Sequence, residues 1–392
     1  MHPRIHGVTC WGLVPFFPEL PALNDSIRRL TLLTVILLVA SPISAFDRPT
    51  PPDSEPYYFY HGLDYGSQSL IHPLRLVING GYGIMQISNR HNRPLDIDYA
   101  QGWHNVWQNL LHPVTAIEQE GWWDFFQREI IPVSARSVQA HYWPNYTQHL
   151  IGGGMSYRQT MEWYRWHGYA HPKAWASTTL MLYHFLNEVV ENDTRDTWTT
   201  DPIADLYIFD PASILLFSND GVSRFFSETL NMADWSYQPL VDIEHQALIN
   251  NGQSFALKWK LPWTDRWSLF YHWGTHGEFG TSYTWGDGQC LSFGAGLNAN
   301  QIIELTQFQN GVDLAVSGGI FYDRNNSLMA SLLMARTKDN RVRVNIYPGL
   351  VEVFGLKPGF FVGSNRNNSL QAGISFSVLP LGLGFGSGPK DE

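Results

Sequence analysis

The chain has 392 residues, of which 44% are hydrophobic and only 15% charged, with a formal net charge of −10. A typical soluble domain carries about 25% charged residues, so part of this surface is expected to face something other than water. The acidic balance, with no basic stripe and no zinc-finger or helix-turn-helix pattern, excludes nucleic-acid binding.

Arg28 and Arg29 precede an apolar run from Leu30 to Ala40 and the segment from Ser41 to Ala45. This is the pattern of a signal peptide over residues 1–45. The run is about a dozen residues, short of the ~20 that a membrane-spanning helix needs; an uncleaved anchor is the alternative. Removal of this segment takes Cys10 with it and leaves Cys290 alone, so no intramolecular disulfide is expected. Residues 46–73 are rich in Pro and Tyr and predict an extended leader. In residues 74–97, Leu74, Leu76, Ile78, Tyr82 and Ile84 share one parity, interrupted by Gly80, Gly81 and Gly83. That alternation predicts one bent strand or a tight pair, the first of a barrel.

Residues 98–237 predict a helical insert with its core at 145–218. In the segment from Ala176 to Asp193, His184, Glu188 and Glu191 fall at i, i+4 and i+7 and share one helical face. Leu182, Phe185, Leu186, Val189 and Val190 cover the rest. His149 lies in the preceding apolar segment, and Asp201 and Asp205 open the following one, where a helix N-terminus favours negative charge. Buried charge is costly unless paired, so these six residues are expected to meet. Gly152 to Gly154 lack the strand and Lys-Ser/Thr of a phosphate loop and are read as a close-packing site or a break.

The order of Gln148-His149, Asn187-Glu188 with Glu191, then Asp201 and Ala204-Asp205 resembles the VanZ-like and YfiM-like group of membrane-associated envelope proteins. The segment from Asn105 to Pro113 is similar to helical inserts of outer-membrane proteins bearing the same core. The resemblance departs at Asp205, where Asn is more usual, and at Asp210-Pro211, which replaces a Gly-rich continuation. It implies an envelope location and no particular activity.

From Val241 the pattern changes to alternation, as in Trp267/Leu269/Tyr271/Trp273 and Val312/Leu314/Val316, with mostly small or polar residues on the other parity. Turn signals such as Gly286-Asp287-Gly288 and Asp323 to Asn326 separate the runs. Residues 238–386 therefore predict an antiparallel meander ending in a closing strand at Leu379, Leu381, Leu383 and Phe385, with a bend at Pro380 and a tail at 387–392. The preferred fold is mainly β with an α insert: an antiparallel transmembrane β-barrel of roughly 10–12 strands, the helical segment lying inside or beneath it. Trp259, Trp263, Trp267, Trp273 and Trp285 would form an interfacial girdle. A soluble periplasmic barrel and a helical inner-membrane protein are the alternatives.

The expected location is the bacterial outer membrane, with outer-membrane lipid and the barrel assembly machinery as partners. The role is lipid or small-solute binding, gating or structural support. An enzyme acting on lipid or envelope substrates is the second reading, with His184 and Glu188 as the catalytic pair. The polar helical core of His149, Glu191, Asp201 and Asp205 could instead be a hydrogen-bonded network, with Asp201 and Asp205 as helix caps. A metal is a further option, with His149, His184, Glu188 and Asp205 as a mixed ligand set; no cofactor is required by the sequence.

Overall fold

The computed structural model describes residues 55–133, 136, 140–306, 309–337, 341–364 and 369–386. The expected signal peptide, the first part of the leader, the tail and the turns at 338–340 and 365–368 lie outside the described residues.

Residues 74–88 are not a strand, which corrects the expectation that the barrel begins there. They form helix α1, Pro73–Gly81, followed by a 3-10 turn at Gly83–Gln86. Pro73 supplies a preset φ at the first helical position, and the His72 ring accepts the Leu74 N–H at 3.1 Å. Helical spacing then stacks the buried polar residues Arg75 and Asn79, which are held by Asp234, the Ser236 carbonyl and the Tyr237 carbonyl. The described part of the leader is not extended and free either. Tyr58, Phe59 and Tyr60 are buried, and their three N–H groups donate to the Glu162 carboxylate at 2.9, 2.8 and 2.9 Å.

The helical body continues with α2 (Tyr99–Leu111), α3 (Pro113–Glu120) and α4 (Trp122–Phe125). The long helix α5 runs through Tyr142–Pro144, Asn145–Gly153 and Gly154–Trp166; α6 is Pro172–Glu191. Helix α7 runs through Asp201–Ala204, Asp205–Phe209 and Asp210–Phe217, and α8 begins at Asp220–Arg224. The middle parts of α5 and α7 are π-helical, a geometry that is rare and often found at functional sites. The glycines of α5 let its neighbours approach: a Cβ on Gly154 would stand 2.2 Å from the Phe217 ring. No described helix is long and apolar enough to cross a membrane.

Among the described residues thirteen strands follow in one sheet: β1 (Ala233–Asp234), β2 (Leu240–Asp242), β3 (Ala247–Ile249), β4 (Phe255–Lys260), β5 (Trp267–Trp273), β6 (His276–Trp285), β7 (Gln289–Thr306), β8 (Gln309–Arg324), β9 (Ser327–Ala335), β10 (Val342–Ile346), β11 (Pro358–Ser364), β12 (Leu370–Phe376) and β13 (Gly382–Gly386). The order is β1-β4-β5-β6-β7-β8-β9-β10-β11-β12-β13-β2-β3, so β1 and β3 are its ends. The meander expected over 238–386 is present from β4 to β13. The count exceeds the expected range because β1, β2 and β3 are pieces of only two or three residues. Every pair is antiparallel except β13 with β2. The last strand begins after Pro380, because proline has no N–H for the ladder. Asn325 and Asn326, both at positive φ, make the two-residue turn between Arg324 and Ser327.

The sheet curls. Lys258 on β4 and Asp323 on β8, four strands apart, form a buried ion pair of 2.7 Å. Trp235, Tyr237, Phe270, Phe321 and Tyr347 pack inside the concavity. The opposite parity is exposed and apolar: Trp259, Leu269, Phe279, Phe293, Val316, Val362 and Phe385. Of the expected girdle, Trp259, Trp263, Trp267 and Trp285 are exposed, whereas Trp273 is buried and donates its indole N–H to the Thr147 carbonyl at 3.1 Å. That contact, with Gln148 Nε2 to the Gly274 carbonyl at 2.5 Å, seats α5 against the ends of β4 and β5.

Candidate functional site

Three helices of the body bring their polar faces together. His149 sits in the π-helical part of α5 and His184 in α6; their rings are 4.2 Å apart between centroids. Asp210 lies between them: its Oδ1 is 3.0 Å from His149 Nδ1 and 2.6 Å from His184 Nδ1. His149 turns its other nitrogen, Nε2, to Asp205 Oδ2 at 3.1 Å. Asp205 and Asp210 reach the same imidazole although they are five residues apart. The π-helical i to i+5 register of Asp205–Phe209 sets them on one face.

The remaining groups extend this cluster. Glu188, one turn beyond His184, lies near Asp205 and its charge helps to raise that carboxyl. Ligand atoms of Glu188, Glu191 and Asp201 lie within 4.8 Å of one another, as do those of Glu129, His141 and Asp201. Glu129 Oε1 is 3.1 Å from His141 Nδ1, and Asn145 Nδ2 donates to Glu129 Oε2 at 3.1 Å. Asp201 thus joins two groups that the sequence leaves apart.

Burial decides the protonation of most of these carboxyls. It pushes Glu188 and Asp205 well above the ordinary range, reinforced by neighbouring carboxylates, and takes Asp201 to about 7. Burial also pulls His184 down to about 4, so its ring is neutral. Asp210 lies below its ordinary value despite burial, because two imidazoles face it. For His141 the hydrogen bond to Glu129, with the charges of Glu129 and Asp201, outweighs burial and raises it to about 9.

The six residues expected to meet do so, but their partners differ from the expectation. His184 pairs with Asp210, while Glu188 groups with Glu191 and Asp201. Asp201 and Asp205 are not caps: Thr200 holds the N-cap position, and Asp205 lies within the helix. Asp210, Glu129 and His141 are additions. Asp210 carried a sequence signal, since Pro is common at the first helical position, but read as a departure from a Gly-rich continuation it gave no hint of the imidazoles above it.

No protein-family model, curated protein or solved structure matches this chain. The chemistry must therefore be argued from the groups themselves. Two further features lie in the sheet. His272, His276 and Glu278 cluster beside a void of about 30 Å³ also lined by Trp235 and Arg343. A larger cavity of about 290 Å³ lies at the Lys258–Asp323 pair, bordered by Lys260, Cys290, His61 and Asn325.

Proposed function

We propose that this chain is a bacterial outer-membrane protein. Its sheet serves as a lipid-facing β-barrel, and its helical body holds a polar centre against one end, acting in the envelope on lipid or a small solute by binding, gating or support. One observation carries the proposal: one parity of the strands is apolar and exposed, while the buried parity carries polar side chains together with aromatics such as Phe270 and Phe361. In β5, Trp267 and Leu269 are exposed between the buried Ser268, Phe270 and His272; in β11, Phe360 and Val362 are exposed on either side of buried Phe361. Water-soluble sheets place these parities the other way round, and membrane barrels place them this way. The helical body adds exposed Trp103, Trp107, Trp122, Trp123, Trp143 and Trp175, a residue type enriched at membrane surfaces. The signal-peptide pattern and the resemblance of 145–218 to VanZ-like and YfiM-like proteins agree with an envelope site, with barrel assembly machinery as the route of insertion.

Expression with the leader intact in a Gram-negative host, followed by membrane fractionation, tests this. The protein is expected in the outer-membrane fraction, extracted only by detergent, and shifting in electrophoretic mobility on heating. Recovery in the aqueous fraction as a monodisperse species without detergent would sink the proposal.

A second reading, an enzyme of lipid or envelope substrates using His184 and Glu188, is favoured by the elevated Glu188 carboxyl, which stays protonated and can donate a proton. Glu188→Gln separates the two. Normal assembly with an altered lipid profile supports catalysis; loss of the heat-sensitive folded form supports architecture.

A further inference from the structure

We propose that His149, His184 and Asp210 bind a divalent transition metal, with Asp205 orienting His149. The inference goes beyond the membrane reading and does not rest on it. The three donor atoms lie within 4.8 Å of one another and all three residues are buried. Two imidazoles and a carboxylate form a borderline set suited to Zn²⁺, Fe²⁺ or Co²⁺.

Proton bookkeeping points to a cation. A neutral imidazole carries one N–H. If His149 directs it from Nε2 to Asp205 Oδ2, its Nδ1 presents a lone pair to Asp210 Oδ1 at 3.0 Å. His184 Nδ1 stands 2.6 Å from the same oxygen, yet its direction is not that of a hydrogen bond. The His149 lone pair and the anionic oxygen then face each other with the His184 nitrogen close beside them, an arrangement that repels unless a positive charge sits among the three. The competing arrangement, with no metal, keeps the proton on Asp205, which donates to His149 Nε2 while the His149 Nδ1–H donates to Asp210.

The surroundings favour the metal. Asp210 Oδ2, Glu188 Oε2 and Asp205 Oδ1 are buried without hydrogen-bond partners. Buried polar atoms are ordinarily satisfied, and an ion held by Asp210 would give the first of these oxygens a partner. The contact of His149 Nε2 with Asp205 is the carboxylate–histidine arrangement that fixes ring orientation and raises basicity at metal sites. Gly153 supplies room, since a Cβ there would stand 3.1 Å from His184 Cε1. Tetrahedral ligands at Zn–N distances of about 2.0–2.1 Å are about 3.3 Å apart, so binding needs Asp210 Oδ1 to move about 0.3 Å further from His149 Nδ1 and about 0.7 Å further from His184 Nδ1.

The test uses the full chain in detergent, stripped with a chelator and titrated with Co²⁺, followed by absorption in the visible and elemental analysis. About one tightly held Co²⁺ per chain is expected, with X-ray absorption on the wild type reporting two imidazole ligands. His184→Gln and Asp210→Asn should each lose the ion at least tenfold, while Asp205→Asn keeps it with affinity reduced about 10- to 100-fold. Circular dichroism and a cooperative thermal melt check that each variant is folded. His276→Gln, in the separate cluster of the sheet, should leave binding unchanged. A folded wild type that takes up less than a tenth of an equivalent, an absorption spectrum without imidazole ligands, or Co²⁺ retained by folded His184→Gln overturns the proposal. If the His184 and Asp210 variants do not fold, the ligand count on the wild type decides alone.

Discussion

Glu162 is fully buried and its carboxylate accepts the N–H groups of Tyr58, Phe59 and Tyr60 as well as Arg158 Nε at 2.9 Å. Replacing it with Ala strands three backbone donors and one guanidinium, so Glu162→Ala should destabilise the body by about 3–5 kcal/mol. Denaturant unfolding in detergent measures this, and a loss under about 1 kcal/mol would refute the role. A second residue-scale effect follows from His141 and Asp201. Each has a folded value above its unfolded one, about 9 for His141 and about 7 for Asp201, so the native state binds more protons than the unfolded state. The His141 contribution is complete below its ordinary value near 6.5 and is lost as pH rises through 9; that of Asp201 is complete below its ordinary value near 4 and is lost as pH rises through 7. Melting of the helical body, followed by tryptophan fluorescence, should therefore fall in temperature from pH 7 to pH 9, above the range in which the lowered His184 titrates; a rise would contradict the assignment. The helical face of His184, Glu188 and Glu191 was legible in the sequence because an α-helix repeats at i, i+4 and i+7. Asp210 was not, because α-helical spacing does not place it beside Asp205; the π register does.

Close helix approach sets the elements. A Cβ on Gly102 of α2 would stand 2.1 Å from the Val189 carbonyl oxygen of α6, a backbone atom that cannot turn aside. Gly102→Ala should therefore push α2 from α6 and cost about 1–3 kcal/mol, read as a lowered unfolding midpoint with little change in slope; an unchanged midpoint would show that the helices tolerate separation. Helices α2, α5 and α6 were readable from apolar spacing. The segment from Leu74 to Ser88 was not, because a short apolar run with glycines fits either period. The deciding contacts, His72 as cap and Asp234 holding Arg75, include one 159 residues away. Strands β4 to β12 were legible from alternation and turn signals. The pairing of β13 with β2 was not, since a three-residue strand carries no periodicity.

At the scale of the molecule, the exposed apolar parity makes assembly sensitive to charge on one face. Phe279→Arg places a charge on that face and should cost about 2–4 kcal/mol near a bilayer midplane, reducing the heat-modifiable form recovered from membranes. Equal recovery of the variant and the wild type would mean that Phe279 meets no lipid. The direction of each parity was set by curling, which joins Lys258 to Asp323 across four strands; alternation alone fits either hand of burial. The concavity so made is stoppered. Trp235 is wedged against Phe270 and Phe321, with ring centroids at 5.7 and 5.5 Å, and Tyr347 donates to its carbonyl at 2.5 Å. On the proposed barrel reading, a cork of that kind blocks the concavity among the described residues, so planar bilayers holding the protein should stay electrically quiet. A lipid or solute would on that reading travel along the greasy flank or lodge at the mouth.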